Sequence, residues 1–280
     1  MGLKNKPDIT AVRAYWNRLP GGGCVLEVGN KYEVGSPEFF EYYDQIKQTD
    51  NELFVRGLFR FDQYKGKRIM DIGCGYGWFV KEFAKNGGVV TGIDLSPAAV
   101  ELTKKMLTYY KLTAEIREAN AEELPFADNT FDLVFSNGVL HHTPETQKAV
   151  DEAWRVLKPG GRAVISLYYR NLLLRPFMFK VTQTVMRLFG MKVVGRENMA
   201  NSSSVEEFVR QYDGTDNPIG KVYSQKEAAQ LFRKFRITGT ELHYFPKRFL
   251  PEVIRRHIPL WLHKLLDNKL GTMIYFNLTK

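Results

Sequence analysis

The sequence predicts an α/β fold, a doubly wound parallel sheet with helices on both faces. Three observations predict it. Strand and helix signals alternate from Lys67 to about Arg170. The strand candidates are short apolar runs, as expected of strands covered on both sides. At 280 residues the chain suits one large α/β domain with additions, or one domain and a small second one.

The elements follow in order. "KRIMDI" reads as the first strand and "GWFVKEFAKNG" as a helix ending at Gly87, with "GVVTGID" as the second strand. The helix "SPAAVELTKKMLTYY" has Ser96 as its N-cap and Pro97 at its first position, where the missing N–H costs nothing. "AEIREA" and "FDLVFS" are the third and fourth strands. "TPETQKAVDEAWRVL" is expected as a helix opened by Thr143 and Pro144, with Ala149, Ala153, Trp154 and Leu157 on one face. The turn "KPGG", Lys158 to Gly161, aims a fifth strand, "RAVISLYY". Sheets of this kind bind ligands beyond the carboxyl ends of their strands.

That is where the informative residues lie. "DIGCGYGWF" places Gly73, Gly75 and Gly77 between the first strand and its helix. Glycines there let backbone N–H groups and the helix terminus approach a ligand that a β-carbon would hold off. A nucleotide-like ligand fits. The Gly-x-Gly-x-x-Gly spacing of dinucleotide enzymes is absent, since position 78 is Trp78. Asp94, ending the second strand in "GIDLS", is placed to accept hydrogen bonds from both hydroxyls of a ribose.

With "DIGCGYG", "GIDLS", "ANAEELPFADNTFDLVFSNGVLHH" and "RVLKPGG" in this order, residues 50 to 170 resemble the small-molecule, type 11-like branch of the class I S-adenosylmethionine-dependent methyltransferases. The resemblance implies a Rossmann-like sheet of seven strands with an antiparallel last strand. It implies S-adenosyl-L-methionine as cofactor and S-adenosyl-L-homocysteine as product. By the same resemblance Asp71, Gly73, Cys74, Gly75 and Gly77 hold the methionine part, Asp94 the ribose, and Leu95 packs on adenine with Ala121 and Glu122 at its edge. Asn137, in "SNGV", belongs to the same cofactor set. Asn120 stands where this branch often has Asp, so the adenine contacts are expected to be weakened or rerouted. Cys74 reads as a small turn residue rather than a catalytic thiol. Pro125 and Phe126 read as loop anchors, and Phe131 as core.

Transfer from a sulfonium is an in-line displacement that depends mostly on positioning. For acceptors that need a base, His142 is the first candidate and His141 the second, because "NGVLHHTPE" lies just past the fourth strand. The alternative is that one of them bonds a loop carbonyl or caps the following helix. Some relatives carry an acidic residue at the end of the fifth strand, where this chain has Leu167, Tyr168 and Tyr169, so a His–Asp dyad is not expected there. Tyr168 is a third candidate, orienting the acceptor or facing the sulfonium by a cation–π contact, against packing in the core.

The chain divides into an N-terminal helical cap (1–49), the cofactor-binding core (50–170), a lid or substrate insertion (171–222) and a completion of the core sheet with a basic amphipathic insertion (223–280). "AVRAYWNRLPGGG" and "SPEFFEYYDQI" give two helices and a glycine break in the cap. "NLLLRPFMFKVTQTVMRLFGMKVV" reads as a lid or an interfacial helix. Ser224 and Glu227 form a capping box for a helix reaching Phe235. "RITGTELHYF" and "GTMIYFNLTK" are the last strands, and between them "PKRFLPEVIRRHIPLWLHKLLDNK" is a lid or a membrane-surface helix with Trp261 at the headgroups. Two cysteines exclude a disulfide framework and a thiolate trio for arsenic, and a reducing cytoplasm is the expected location. No metal site is expected. The net charge of +9 raises nucleic acid and anionic membranes as partners. No Asn-Pro-Pro-aromatic motif follows the fourth strand, so nucleic acid is not expected, and the acceptor is a small or lipid-like molecule with an oxygen, sulfur, nitrogen or carbon nucleophile. The non-catalytic alternative is a cofactor-binding or scaffold protein of the same fold.

Overall fold

The computed structural model describes residues 8–20, 31–47, 53–188, 196, 198–245 and 257–280. The glycine break at 21–23 and the basic stretch 246–256 lie outside the described residues.

The N-terminal part holds helices α1 (Ile9–Arg18), α2 (Pro37–Ile46) and α3 (Leu53–Phe59). Strands β1 (Arg68–Ile72), β2 (Val89–Asp94), β3 (Glu115–Glu118), β4 (Phe131–Ser136) and β5 (Leu157–Tyr169) follow, with helices α4 (Trp78–Lys85), α5 (Pro97–Tyr109) and α6 (Thr146–Val156) after β1, β2 and β4. Beyond β5 come α7 (Pro176–Leu188), α8 (Val205–Arg210), β6 (Val222–Tyr223), α9 (Gln225–Leu231), β7 (Arg236–His243), α10 (Leu260–Leu270) and β8 (Met273–Thr279).

The sheet order is β3-β2-β1-β4-β5-β8-β7, with β1 to β5 parallel and β8 antiparallel to both β5 and β7. The strand reversal between β1 and β4 opens the crevice that such sheets use for ligands. An eighth strand, β6, was not legible because two residues carry no period. It pairs with β5 at Tyr168 and Tyr169, past Ile165, the last β5 residue paired with β4. The register of β4 and β5 jumps between Phe131↔Leu157 and Leu133↔Arg162, so Lys158 to Gly161 bulge from the ladder.

Period-2 alternation splits the core into two layers. Met70, Ile72, Val134, Ile165 and Phe276 face the layer that holds Val150 of α6 and Phe232. Ile69, Leu133, Phe135 and Tyr275 face the other, with Phe59 and Phe83. Burying each of these large side chains contributes about 1.5–3 kcal/mol.

Side-chain caps explain half of the helix starts among the described residues. Ser36, Ser96 and Ser224 each accept from a backbone N–H three residues on, and Glu227 closes the box with Ser224. Two boundaries differ from expectation. Helix α6 starts at Thr146 rather than Thr143, because Leu140–His142 form a 3₁₀ turn of their own. Helix α9 ends at Leu231, where the chain turns back toward β7. Among the described residues no helix is long and apolar enough to cross a membrane.

Candidate cofactor and acceptor site

A cavity of about 500 Å³ opens at the carboxyl ends of β1, β2, β4 and β5. Its floor is the turn after β1. Gly73 has φ +84°, and a Cβ there would sit 2.3 Å from Val139 Cγ2; Gly75 has φ +55°. The turn is tied down by Asp94, which accepts the Gly75 N–H at 3.0 Å through Oδ2 and the Ser96 N–H at 2.9 Å through Oδ1. Each oxygen keeps a further lone pair for a ligand.

Asp71 lies beside Asp94 at 2% exposure, and neither has a cationic partner among the described residues. Burial, with the Asp94 charge added, pushes the Asp71 carboxyl well above the ordinary range. Burial also raises Asp94, against the backbone N–H groups that favour its charged form. Two adjacent carboxylates under this strain suit a ligand that brings positive charge, and S-adenosylmethionine carries an ammonium and a sulfonium. The residues present fit that group. The same burial raises the Cys74 thiol well above its usual range, so it stays protonated and does not act as a nucleophile.

Leu95, Asn120, Ala121 and Asn137 line the cavity as well. Asn120 Oδ1 accepts the Glu122 N–H at 3.0 Å. Asn137 Oδ1 accepts from the Tyr275 hydroxyl at 2.6 Å. Three of the sequence candidates do not line it. Gly77 is a packing glycine, where a Cβ would meet Thr103 Cγ2 at 2.8 Å. The Glu122 carboxylate accepts the Glu145 N–H at 2.7 Å and so fixes the approach to α6. His141 is fully buried behind His142, its ring 3.9 Å from that of Tyr168, and burial followed by the His142 charge drives its imidazole well below the usual value.

The far end of the cavity brings together His142, Tyr168 and a residue the sequence reading missed, Asp213. His142 Nε2 lies 3.1 Å from Asp213 Oδ2, and Nδ1 lies 2.6 Å from the Ile219 carbonyl oxygen. The Tyr168 hydroxyl donates to the same Asp213 oxygen. Burial alone would raise the Asp213 carboxyl, but the His142 contact and charge and the Tyr168 hydrogen bond hold it well below the ordinary range. An acidic partner for His142 therefore exists, supplied by the insertion and not by the end of β5.

The loop after α8 is built for this. Asn217, fully buried, accepts the Ile219 N–H at 3.2 Å and donates to the Arg210 carbonyl at 2.9 Å. Gly220 packs so closely that a Cβ would sit 2.5 Å from Arg210 Cα. Lys221 Nζ donates to the Pro144 carbonyl at 2.7 Å, bolting the loop to the histidine turn. The available signal was "YDGTDNPIGKVYS", a turn-rich stretch inside an otherwise apolar insertion.

Helix α1 covers this end. Trp16 meets the His142 ring edge-on at 4.9 Å, and the Tyr15 hydroxyl donates to the Asp213 carbonyl at 2.6 Å. Asn17 Oδ1 accepts the Ala98 N–H at 3.0 Å, pinning α1 to the start of α5.

Comparison with known proteins follows this geometry. Residues 70–165 match the methyltransferase domain family. The chain is 36% identical over 108 residues to a protein named ubiquinone biosynthesis O-methyltransferase from Alkalilimnicola ehrlichii, covering 38% of this chain and 44% of that one. A protein of the same name from Coxiella burnetii is 31% identical over 107 residues, covering 38% and 46%. The chain thus spans less than half the length of these relatives. Among solved structures, an S-adenosylmethionine-dependent methyltransferase from Mesorhizobium loti superposes with a TM-score of 0.56 at 16% identity, over 84% of this chain and 99% of that one. One from Aquifex aeolicus gives 0.52 at 16% identity, over 87% and 97%. At these identities the likeness is one of fold.

Proposed function

We propose that this chain, whose core is a class I S-adenosylmethionine-dependent methyltransferase domain, binds S-adenosylmethionine and transfers its methyl group to the oxygen of a small-molecule acceptor. The observation that carries the reading is the polarity of one cavity: two buried carboxylates, Asp71 and Asp94, at one end, and His142, Tyr168 and Asp213 at the other. The first end suits a cationic nucleoside with a ribose. The second suits a hydroxyl. The names of the relatives support oxygen as the methylated atom. A cavity of about 500 Å³ favours a small molecule, or the head of a lipid-like one, as the acceptor beside the cofactor.

In this reading Asp94 accepts from the ribose hydroxyls, Leu95 and Ala121 pack on the adenine, and Asn120 meets its edge. Asp71 and the Gly73–Gly75 turn hold the methionine part. When bound, the cofactor supplies an activated methyl. The chain's own residues shape the acceptor end, with the Tyr168 oxygen keeping lone pairs toward the acceptor and the His142–Asp213 pair fixing the wall beside it, while α1 keeps water out. The exposed side of α7, where Phe177 is 76% and Leu188 77% exposed, together with Trp261 of α10 at 68%, supports peripheral contact with an anionic membrane.

The test is turnover of S-adenosylmethionine with a panel of catechols, phenols, thiols and amines, read as S-adenosylhomocysteine and methylated product. Methyl ethers are the expected product. Tight cofactor binding with no product from any class would assign the chain to binding without transfer.

A further inference from the structure

Hydrogen-bond chemistry at the acceptor end sets the charge of His142. A carbonyl oxygen only accepts, so the 2.6 Å contact to the Ile219 carbonyl requires a proton on Nδ1. Asn217 Nδ2 is also 3.4 Å from Nδ1, but the nearer oxygen decides, and that amide already donates to Arg210. On the other side, a lone pair on Nε2 would face the Asp213 carboxylate at 3.1 Å, whereas a proton there is attracted to it. Both ring nitrogens therefore carry protons.

We propose that His142 stands as an imidazolium held between Asp213 and the Ile219 carbonyl, and that the site consequently takes acceptors whose nucleophilic oxygen arrives ionised, a phenolate or an enolate. Asp213 is then a positioning residue, and His142 a fixed positive charge and donor rather than a free base. The inference rests on the methyl-transfer reading above. Arg196, 4% exposed, lines the same cavity, and both Asp213 and Asp216 act on Tyr15 beside it. The other titratable groups around His142 are His141 on its own turn, Tyr168 of β5, Lys221 of the loop, and Tyr15 of α1, with Asp216 beyond it.

The step balances without a base in the protein. The acceptor leaves its proton in solvent before binding, and its lone pair forms the new bond to the methyl carbon. The carbon–sulfur bond breaks with its electron pair going to sulfur. The anion and the sulfonium are both neutralised, and the His142 proton stays where it is.

Nitrogen-15 resonances of the histidines, recorded on the full chain with S-adenosylhomocysteine and assigned with His142→Gln, read the charge directly. At about pH 8, where an unperturbed imidazole near 6.5 is neutral, His142 is expected to show two protonated nitrogens. Asp213→Asn should make the ring neutral at that pH, and Asp213→Glu should restore the charge. If Asp213→Asn does not fold, the protonation pattern of the wild-type ring at that pH stands alone as the readout. This arm needs no turnover: a charged ring in a protein that methylates nothing would sink the transfer reading and leave the ion pair standing. For turnover, catechol and the more acidic 4-nitrocatechol are compared across pH. Rates should rise with each acceptor's own ionisation. A neutral His142 ring at pH 8 in the wild-type protein, or one shared limb at the imidazole midpoint for both acceptors, overturns the proposal.

Discussion

Asp71 and Asp94, the binding residues of the proposed cofactor site, are held at a cost to the fold that carries them. Asp71 is ionised only at the expense of burial, so its folded carboxyl titrates above its unfolded value. The sign follows: its contribution to stability is fully present at low pH and is lost as pH rises through the folded value. Asp71→Asn is therefore expected to raise the melting temperature of the free protein near neutral pH and to weaken S-adenosylmethionine. Binding of a cation favours ionised Asp71, so affinity should rise with pH across the acid range and protons should be released. Calorimetry in two buffers of different ionisation enthalpy reads that release, and proton uptake would contradict it. For Asp94, charge-assisted bonds to ribose of about 1.5–3 kcal/mol mean that Asp94→Ala weakens the cofactor roughly ten- to a hundredfold. Because the two oxygens hold Gly75 and Ser96 separately, Asp94→Asn keeps one of those bonds where Asp94→Ala loses both, and serves as the companion variant. Unchanged affinity in both, with the fold intact, would remove Asp94 from the ribose site. Asp94 was legible because it ends a strand at a fixed distance from a glycine turn. Asp213 was not, since no local period or spacing links it to His142.

At the scale of elements, the proposed cofactor half of the site is made by consecutive strand–turn–helix units, and each unit announces itself in sequence. The acceptor half needs α1, the histidine turn and the loop between α8 and β6, three segments far apart in the chain. The helix, the histidines and the turn-rich stretch were each readable in sequence, but the separate histidine turn and the meeting of the three were not. Gly220 tests the loop. A methyl group there would press on Arg210 Cα and shift the Ile219 carbonyl that holds His142. Gly220→Ala should lower turnover by up to about 10²-fold, the cost of a misplacement near 1 Å, while leaving cofactor affinity within a factor of about two. Gly57 in α3 has open space around it, so Gly57→Ala serves as a control expected to add about 0.4–1 kcal/mol of stability and to change no kinetic constant. Equal effects of the two variants on turnover would mean that the loop does not set the histidine.

For the whole molecule, the question is which side of the insertion faces function. Helix α7 turns Phe179, Gln183 and Met186 inward, and Phe179 and Met186 pack in one cluster with Tyr168 and Tyr212, so its inner face is a roof over the residues behind the cavity wall and lines no part of the cavity itself. Its outer face carries Phe177, Val181, Val185 and Leu188, four apolar positions at helical spacing, with Lys180 exposed among them. A roof alone does not require that outer stripe. Apolar side chains beside basic ones on a chain of net charge +9 are the pattern of a helix that lies on an anionic surface. Sedimentation with vesicles containing phosphatidylglycerol should therefore carry the protein down at low salt and release it at high salt, and neutral phosphatidylcholine vesicles should not. Phe177→Ser with Leu188→Ser should reduce the binding severalfold and leave methyl transfer to a water-soluble acceptor intact, because both side chains point away from the cavity. If the roof is also mobile, protease cleavage within 171–188 should slow when cofactor and acceptor are bound, since closing segments are drawn from the least stable parts of a fold. Salt-independent sedimentation, or none, would leave α7 as a roof with a chance apolar exterior.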